Sequence, residues 1–251
     1  MEFVNSSLSD GISTLMLNRG KVNALDGELV DQLRAELRKH EIDTAVKAII
    51  LTGANKFFSF GFDIPEFLSF KKEDFVAYLE NFTDLYTYLF LYPKPVVAAL
   101  NGHAMAGGCM LALACDYRVM VNGNAKISLN EIGFGSSVFA GSVEMLRFCV
   151  GSATASTILY SGAMYTAEEA QRLGLVDELA SEQELTVIAT QAASNLGSKY
   201  PPAFASIKAL LRGSTAEQMV RREGASVRQF ADIWYSEATW ANLQNITIRR
   251  S

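Results

Sequence analysis

Two short stretches of this chain, Val46 to Thr52 and Val96 to Leu100, are almost unbroken apolar runs with β-branched residues. A strand with one wet face alternates apolar and polar side chains; a strand covered on both faces does not. Both runs therefore read as buried strands, and a buried strand needs a layer on each side of its sheet. Ile12 to Leu17, Tyr117 to Val121 and Lys126 to Leu129 read as further strands. Helical spacing appears between them. Leu25 to His40 places Leu25, Leu29, Leu33 and Leu37 on one stripe, with Asp26 and Glu28 suited to the positive end of its dipole. Phe75 to Leu91 forms a long aromatic helix closed by Pro93 and Pro95, and its stripe Phe75, Leu79, Phe82, Tyr86 is a packing face. The alternation predicts an α/β fold.

The last third changes character. Thr166 and Glu169 form a capping box that opens a helix ending near Gly174. Glu184 to Leu196 is helical. Pro201 and Pro202 open a helix to about Leu211, Gly213-Ser214 interrupts the chain, and a final helix runs from Ala216 to Trp240. These patterns divide the chain into an α/β core, residues 1–195, and a C-terminal helical region, residues 196–251, too small to fold alone.

The 251 residues carry 22 Lys and Arg against 27 Asp and Glu, so no basic excess points to nucleic acid. No run of about 18 apolar residues predicts a membrane span. The N-terminal residues resemble neither a signal nor a transit peptide. Cys109, Cys115 and Cys149 sit in apolar stretches without a CxxC pair, which predicts reduced, buried thiols in a cytoplasmic protein. The two histidines, His40 and His103, form no ligand-like cluster, so no metal is expected. His40 is expected at a helix end facing water, and His103 in a structural role.

Two glycine-containing loops and one acidic segment carry the chemistry. Phe58 to Glu66 contains Gly61, with Asp63 placed as a helix cap answered by Glu66. Asn101 to Met110 follows a buried strand and precedes an apolar helix; its Ala104, Ala106, Gly107 and Gly108 let a ligand approach the main chain at a helix N-terminus. Neither loop matches a dinucleotide or phosphate-loop pattern. Ile127 to Gly135 sets Glu131 among apolar residues, where burial raises a carboxyl pKa into a range suited to proton transfer. No Gly-x-Ser-x-Gly elbow marks Ser136, Ser137 or Ser142 as a nucleophile.

Taken in chain order, these segments resemble the crotonase, or enoyl-CoA hydratase/isomerase, family. The matching residues are Val22 to Leu25, Phe58-Ser59 through Asp63-Ile64, Asn101-Gly102 through Gly108, Cys115 to Arg118, Asn130 to Ile132, Ala167 to Ala170 and Gly174 to Val176. The resemblance implies a spiral of repeated ββα units with a C-terminal helical trimerisation region, assembled as a homotrimer or homohexamer. Phe230, Trp234 and Trp240 suit such assembly or packing within the chain. It implies an acyl-CoA substrate, with coenzyme A as part of the substrate and no separate cofactor. It implies an oxyanion hole from the backbone N–H groups of Phe62 and Gly107. Of the two glutamates that family hydratases use, the later maps to Glu131 and the earlier to Met110, which cannot transfer a proton. One remaining base favours an isomerase that moves a double bond between C3 and C2 of an acyl-CoA thioester through a dienolate. Hydration, another enolate reaction such as decarboxylation, and non-catalytic acyl-CoA binding stay open beside it. The resemblance further places substrate and CoA contacts at Val22, Ala24, Leu25, Phe60, Asp63, Ile64, Gly108, Met110 and Phe134, with Arg19 and Lys21 as phosphate contacts or solvated charges.

Overall fold

The computed structural model describes residues 1–246. Strands β1 (Val4–Ser9) and β2 (Ile12–Leu17) form an antiparallel hairpin at the edge of a six-stranded sheet. β3 (Ala48–Gly53), β5 (Val96–Leu100), β7 (Tyr117–Val121) and β9 (Glu178–Ala180) extend it in parallel, in the order β1-β2-β3-β5-β7-β9. A second, three-stranded parallel sheet holds β4 (Phe57–Ser59), β6 (His103–Met105) and β8 (Ile127–Ser128).

The two sheets are built by one repeated path. The chain runs up a strand of the large sheet, turns into the small sheet, then leaves through a helix. β3 and β4 lead to α2 (Ile64–Phe67) and α3 (Lys72–Phe90); β5 and β6 lead to α4 (Gly107–Ala114). β7 and β8 lead to a short 3-10 turn, Glu131–Phe134, and α5 (Ala140–Ser161). Two of the corners are glycines by necessity. A Cβ on Gly53 would lie 2.1 Å from the Phe57 carbonyl oxygen, and one on Gly102 would lie 2.0 Å from that of Lys56. This is the spiral of ββα turns that the sequence resemblance implied.

The buried runs behave as expected. In β3, Ile49 and Leu51 enter the main core. Ala48 and Ile50 face the other way, under Leu185, Ala189 and Ala193 of α7 (Leu185–Gly197). Helix α1 (Gly27–Ile42) begins later than its leucine spacing predicts. Asp26 is its N-cap, accepting from the Leu29 N–H at 2.8 Å, and Leu25 lies outside the helix. The capping box of α6 (Ala167–Leu173) forms as predicted, with Gly174 left-handed at its end.

Three features differ from the sequence reading. First, α8 (Pro201–Trp234) is one continuous helix through Gly213-Ser214. Just before that glycine, Lys208 pairs with Asp116 at 2.7 Å. Arg212 donates to the carbonyls of Phe90, Ala114 and Cys115 at 2.9–3.1 Å, at the buried C-terminal ends of α3 and α4. Just after it, Ala216 and Met219 are buried. Anchors on both sides outweigh the roughly 1 kcal/mol that glycine costs a helix interior. The chain breaks at Tyr235 instead, before α9 (Glu237–Leu243). Second, α5 was not expected. It is interrupted at Gly151 (φ 77°), and Phe139 at its N-cap offers no capping oxygen. Its first amides are capped by α8: Ala140 N–H donates to Ser226 Oγ at 3.0 Å and Gly141 N–H to Glu223 Oε2 at 2.6 Å. Third, His40 is buried rather than facing water, with Nε2 within 2.9 Å of Ser6 Oγ and 3.0 Å of Ser13 Oγ.

Candidate active site

The loop after β4 is drawn against residues 23–25. Leu25 N–H donates to the Gly61 carbonyl at 2.8 Å, and Asp63 N–H donates to the Leu25 carbonyl at 3.1 Å. Residues 61 and 63 thus face Leu25, and the strand-like alternation turns the N–H of Phe62 to the opposite side. Gly61 allows this course with φ 88°, a conformation costly for other residues. Ser59 tightens the loop by donating to the Asn23 carbonyl at 2.8 Å. Asn23, itself left-handed (φ 50°) and fully buried, donates to the carbonyls of Ala54 and Phe57.

The second loop meets the first at α4. Ala106 has φ 47° and ψ −117°, a rare conformation for a residue with a side chain, and it immediately precedes Gly107. Gly107 opens the helix, so its N–H has no acceptor one turn back. Neither Gly107 N–H nor Phe62 N–H has an acceptor among the described residues. The loops touch: a Cβ on Gly61 would lie 3.2 Å from the Gly107 nitrogen.

Glu131 closes the third side. It starts the 3-10 turn that ends at left-handed Gly135. α9 braces this turn, with Thr239 Oγ1 donating to the Gly135 carbonyl at 2.7 Å and Asn242 to the Phe134 carbonyl at 3.2 Å. Glu131 is 4% exposed, and neither carboxylate oxygen has a hydrogen-bond partner among the described residues. Burial, opposed only by its own backbone N–H, pushes its pKa up to about 8.

A cavity of about 220 Å³ joins the three segments. It brings together six residues expected at the site: Phe60, Phe62, Ile64, Gly107, Glu131 and Phe134. The rest of the lining is Met105, Ala106, Asn130, Phe230, Trp234 and Ile246. A larger cleft of about 680 Å³ lies among residues 41–47, 93–95 and 196–204 and shares no residue with this cavity. Free amides at one wall and an apolar-held carboxyl at another can hold a negatively charged oxygen and carry a proton beside it.

The other expected contacts fall outside the lining. Val22 and Ala24 act through their carbonyls, which accept from Phe60 N–H at 2.9 Å and Arg19 at 3.3 Å. Leu25 lies behind Gly107, where its Cδ1 would be 3.1 Å from an added Cβ. Gly108 does not face the cavity: a Cβ there would lie 2.4 Å from the Ser59 carbonyl oxygen, so this glycine serves close packing of α4 on β4. Met110 does not line it either, because its side chain is enclosed in the main core. Asp63 caps α2 as expected, accepting from Glu66 N–H at 3.3 Å, and also pairs with Arg19 at 2.7 Å. Arg19 is neither a solvated charge nor an open phosphate contact. Its guanidinium bridges Asp26, Asp63 and Glu66 at 2.7–3.0 Å, joining the caps of α1 and α2. Lys21 is exposed. The ring of His103 accepts from Lys126 N–H at 3.2 Å. Among the described residues no cluster of His, Cys, Asp or Glu is arranged for a metal, and no helix is long and apolar enough to cross a membrane.

Sequence reasoning missed Phe230 and Trp234. Their four-residue spacing was visible, but either assembly or intrachain packing accounted for it. They pack within the chain, with Phe230 4.4 Å from Phe139 and Trp234 4.7 Å from Phe75, ring centre to ring centre.

The family model described as Enoyl-CoA hydratase/isomerase matches residues 7–241. The chain belongs to the enoyl-CoA hydratase/isomerase family. A Bacillus subtilis protein named as a probable enoyl-CoA hydratase is 31% identical over 254 aligned positions, spanning 100% of this chain and 97% of its own. The human mitochondrial enoyl-CoA delta isomerase 1 is 28% identical over 236 positions, covering 93% of this chain and 78% of that protein. The crystal structure of human mitochondrial delta3-delta2-enoyl-CoA isomerase superposes with a TM-score of 0.91 at 27% identity, over 96% of this chain and 95% of that one. Relatives of this enoyl-CoA hydratase/isomerase family member thus bear both reaction names, and among the described residues its cavity holds one titratable side chain, Glu131.

Proposed function

We propose that this chain is an enoyl-CoA isomerase that moves a double bond between C3 and C2 of an acyl-CoA thioester. The observation that carries the reading is that Glu131 is the one carboxyl side chain lining the cavity among the described residues. The Glu131 carboxylate has no hydrogen-bond partner among the described residues, and the position of the family's other glutamate holds Met110, buried in the core. Hydration needs water deprotonated and C2 protonated, and two proton carriers share that work. Double-bond migration needs one.

In this mechanism the thioester oxygen lies between the N–H groups of Phe62 and Gly107. Ionised Glu131 removes a proton from C2. The electrons pass into a dienolate whose oxygen gains charge, and the two amides stabilise that charge by charge-assisted hydrogen bonds. Protonated Glu131 then returns the proton at C4, leaving the double bond between C2 and C3. The neutral acid is well tolerated in this apolar surrounding, so its formation is easy; the raised pKa makes the carboxylate a stronger base.

The test is a direct product assay with 3-hexenoyl-CoA, run in parallel on Glu131→Gln. Formation of the 2-enoyl isomer, lost in the variant, supports the reading. A wild-type protein that binds the thioester but converts none of it sinks the reading. Assembly as a homotrimer or homohexamer belongs to the same proposal, and exposed Ile207, Leu210, Leu211 and Val220 on α8 offer apolar surface for it.

A further inference from the structure

The cavity has a mouth and a floor. Phe60 is 38% exposed and marks the open side, whereas Phe230 and Trp234 from α8 are 2% and 1% exposed and close the inner side. At about 30 Å³ per water-sized group, 220 Å³ holds about seven such groups, which fits a short acyl chain. A hydrocarbon tail needs an apolar floor, and Phe230 provides one.

Trp234 does not fit that role completely. Its indole Nε1–H is buried and has no acceptor among the described residues. Neighbouring ring faces do not serve as acceptors. The indole plane lies 39° from Phe75 and 27° from Phe230, whereas an in-plane N–H reaches a ring face only when the planes are close to perpendicular. A buried donor left without a partner is costly, and native interiors seldom keep one.

We infer that the N–H of Trp234, a residue of the cavity lining, turns to the substrate and donates to an oxygen on the far end of a short acyl chain. This rests on the acyl-CoA reading above and narrows it to acyl thioesters with a hydroxyl, carbonyl or carboxylate tail. Trp234 is then a specificity-determining residue: its ring sets the depth of the cavity, and its N–H selects the chemistry of the chain end.

The experiment measures binding, so that it is independent of catalysis. Dissociation constants are determined for hexanoyl-CoA and 6-hydroxyhexanoyl-CoA, both unreactive towards double-bond migration, on the wild type and on Trp234→Phe. The wild type is expected to bind the hydroxylated thioester at least as well as the plain one. In Trp234→Phe the ratio of the two affinities shifts against the hydroxyl by about fivefold or more, because that oxygen loses its donor. An unchanged ratio, or a wild type that binds the hydroxylated thioester tenfold more weakly, overturns the inference.

Should the variant not fold, the wild type provides a second readout. The chain has two tryptophans, so the indole N–H signals of Trp234 and Trp240 are separable by nuclear magnetic resonance on ¹⁵N-labelled protein. The Trp234 signal is expected to move further downfield with 6-hydroxyhexanoyl-CoA than with hexanoyl-CoA; equal shifts overturn the inference. A protein that binds thioesters but isomerises none fails the functional reading while leaving this test intact.

Discussion

Gly107 and Phe62 are in such close contact that a single methyl group on Gly107 would lie 3.1 Å from Phe62 Cε1 and equally close to Leu25 Cδ1. The two residues whose amides are proposed to hold the thioester oxygen therefore set each other's position. Gly107→Ala is expected to displace the Phe62 loop by a few tenths of an ångström and lower kcat/KM about 10- to 100-fold. Steady-state kinetics, with circular dichroism to confirm the fold, checks this. Activity within twofold of the wild type would show that the contact does not position the donors.

Glu131 should dominate the pH–rate profile. The base must be ionised to take the C2 proton, so kcat/KM is expected to rise with pH and level off above about 8. A profile already flat from pH 6 would assign the proton transfer to another group.

The same carboxyl predicts a pH-dependent stability. Its pKa is about 4.5 in the unfolded chain and about 8 in the folded one, so between those values the folded state holds a proton that the unfolded state has lost. Stability from this group is complete below about pH 4.5 and falls by about 1.4 kcal/mol per pH unit as pH rises towards 8. Denaturant unfolding of wild type and Glu131→Gln from pH 5 to 8 isolates the effect, because Gln does not titrate. The wild type should lose a few kcal/mol relative to the variant across that range.

Gly213 offers a stabilising change. It lies inside α8, outside the left-handed region, and a Cβ there would meet nothing within 4 Å. Gly213→Ala is expected to add about 0.5–1 kcal/mol, read as a higher urea midpoint at unchanged slope.

The parts of the fold written in local signals were legible. The doubly buried runs of β3 and β5, the capping box at Thr166 and the stripe of α3 each follow from residues adjacent in sequence. Phe62, Gly107 and Glu131, each expected from a short segment of matching pattern, come together at one cavity. What escaped depends on distant partners. α5 has no cap of its own because Glu223 and Ser226 supply one, more than 80 positions away. Gly213 looked like a break because Arg212 and Lys208 reveal their anchoring only through Asp116 and the ends of α3 and α4. Arg19 looked solvated or phosphate-bound because its three carboxylates come from two distant segments, Asp26 at the start of α1 and Asp63 with Glu66 at the start of α2. The cavity floor was missed because a helix stripe does not reveal which side chains border empty space.

The capping of α5 by α8 also bears on the order in which the molecule is made. A nascent chain released as far as residue 200 contains all nine strands of the described structure, yet the first amides of α5 still lack Ser226 and Glu223. The last carbonyls of α3 and α4 still await Arg212. Synthesis of the spiral therefore finishes before its helices can settle, and the wall that bears Phe230 and Trp234 arrives with the same segment that secures them. A cavity walled by residues 230–234 is not complete until that stretch of α8 has been made.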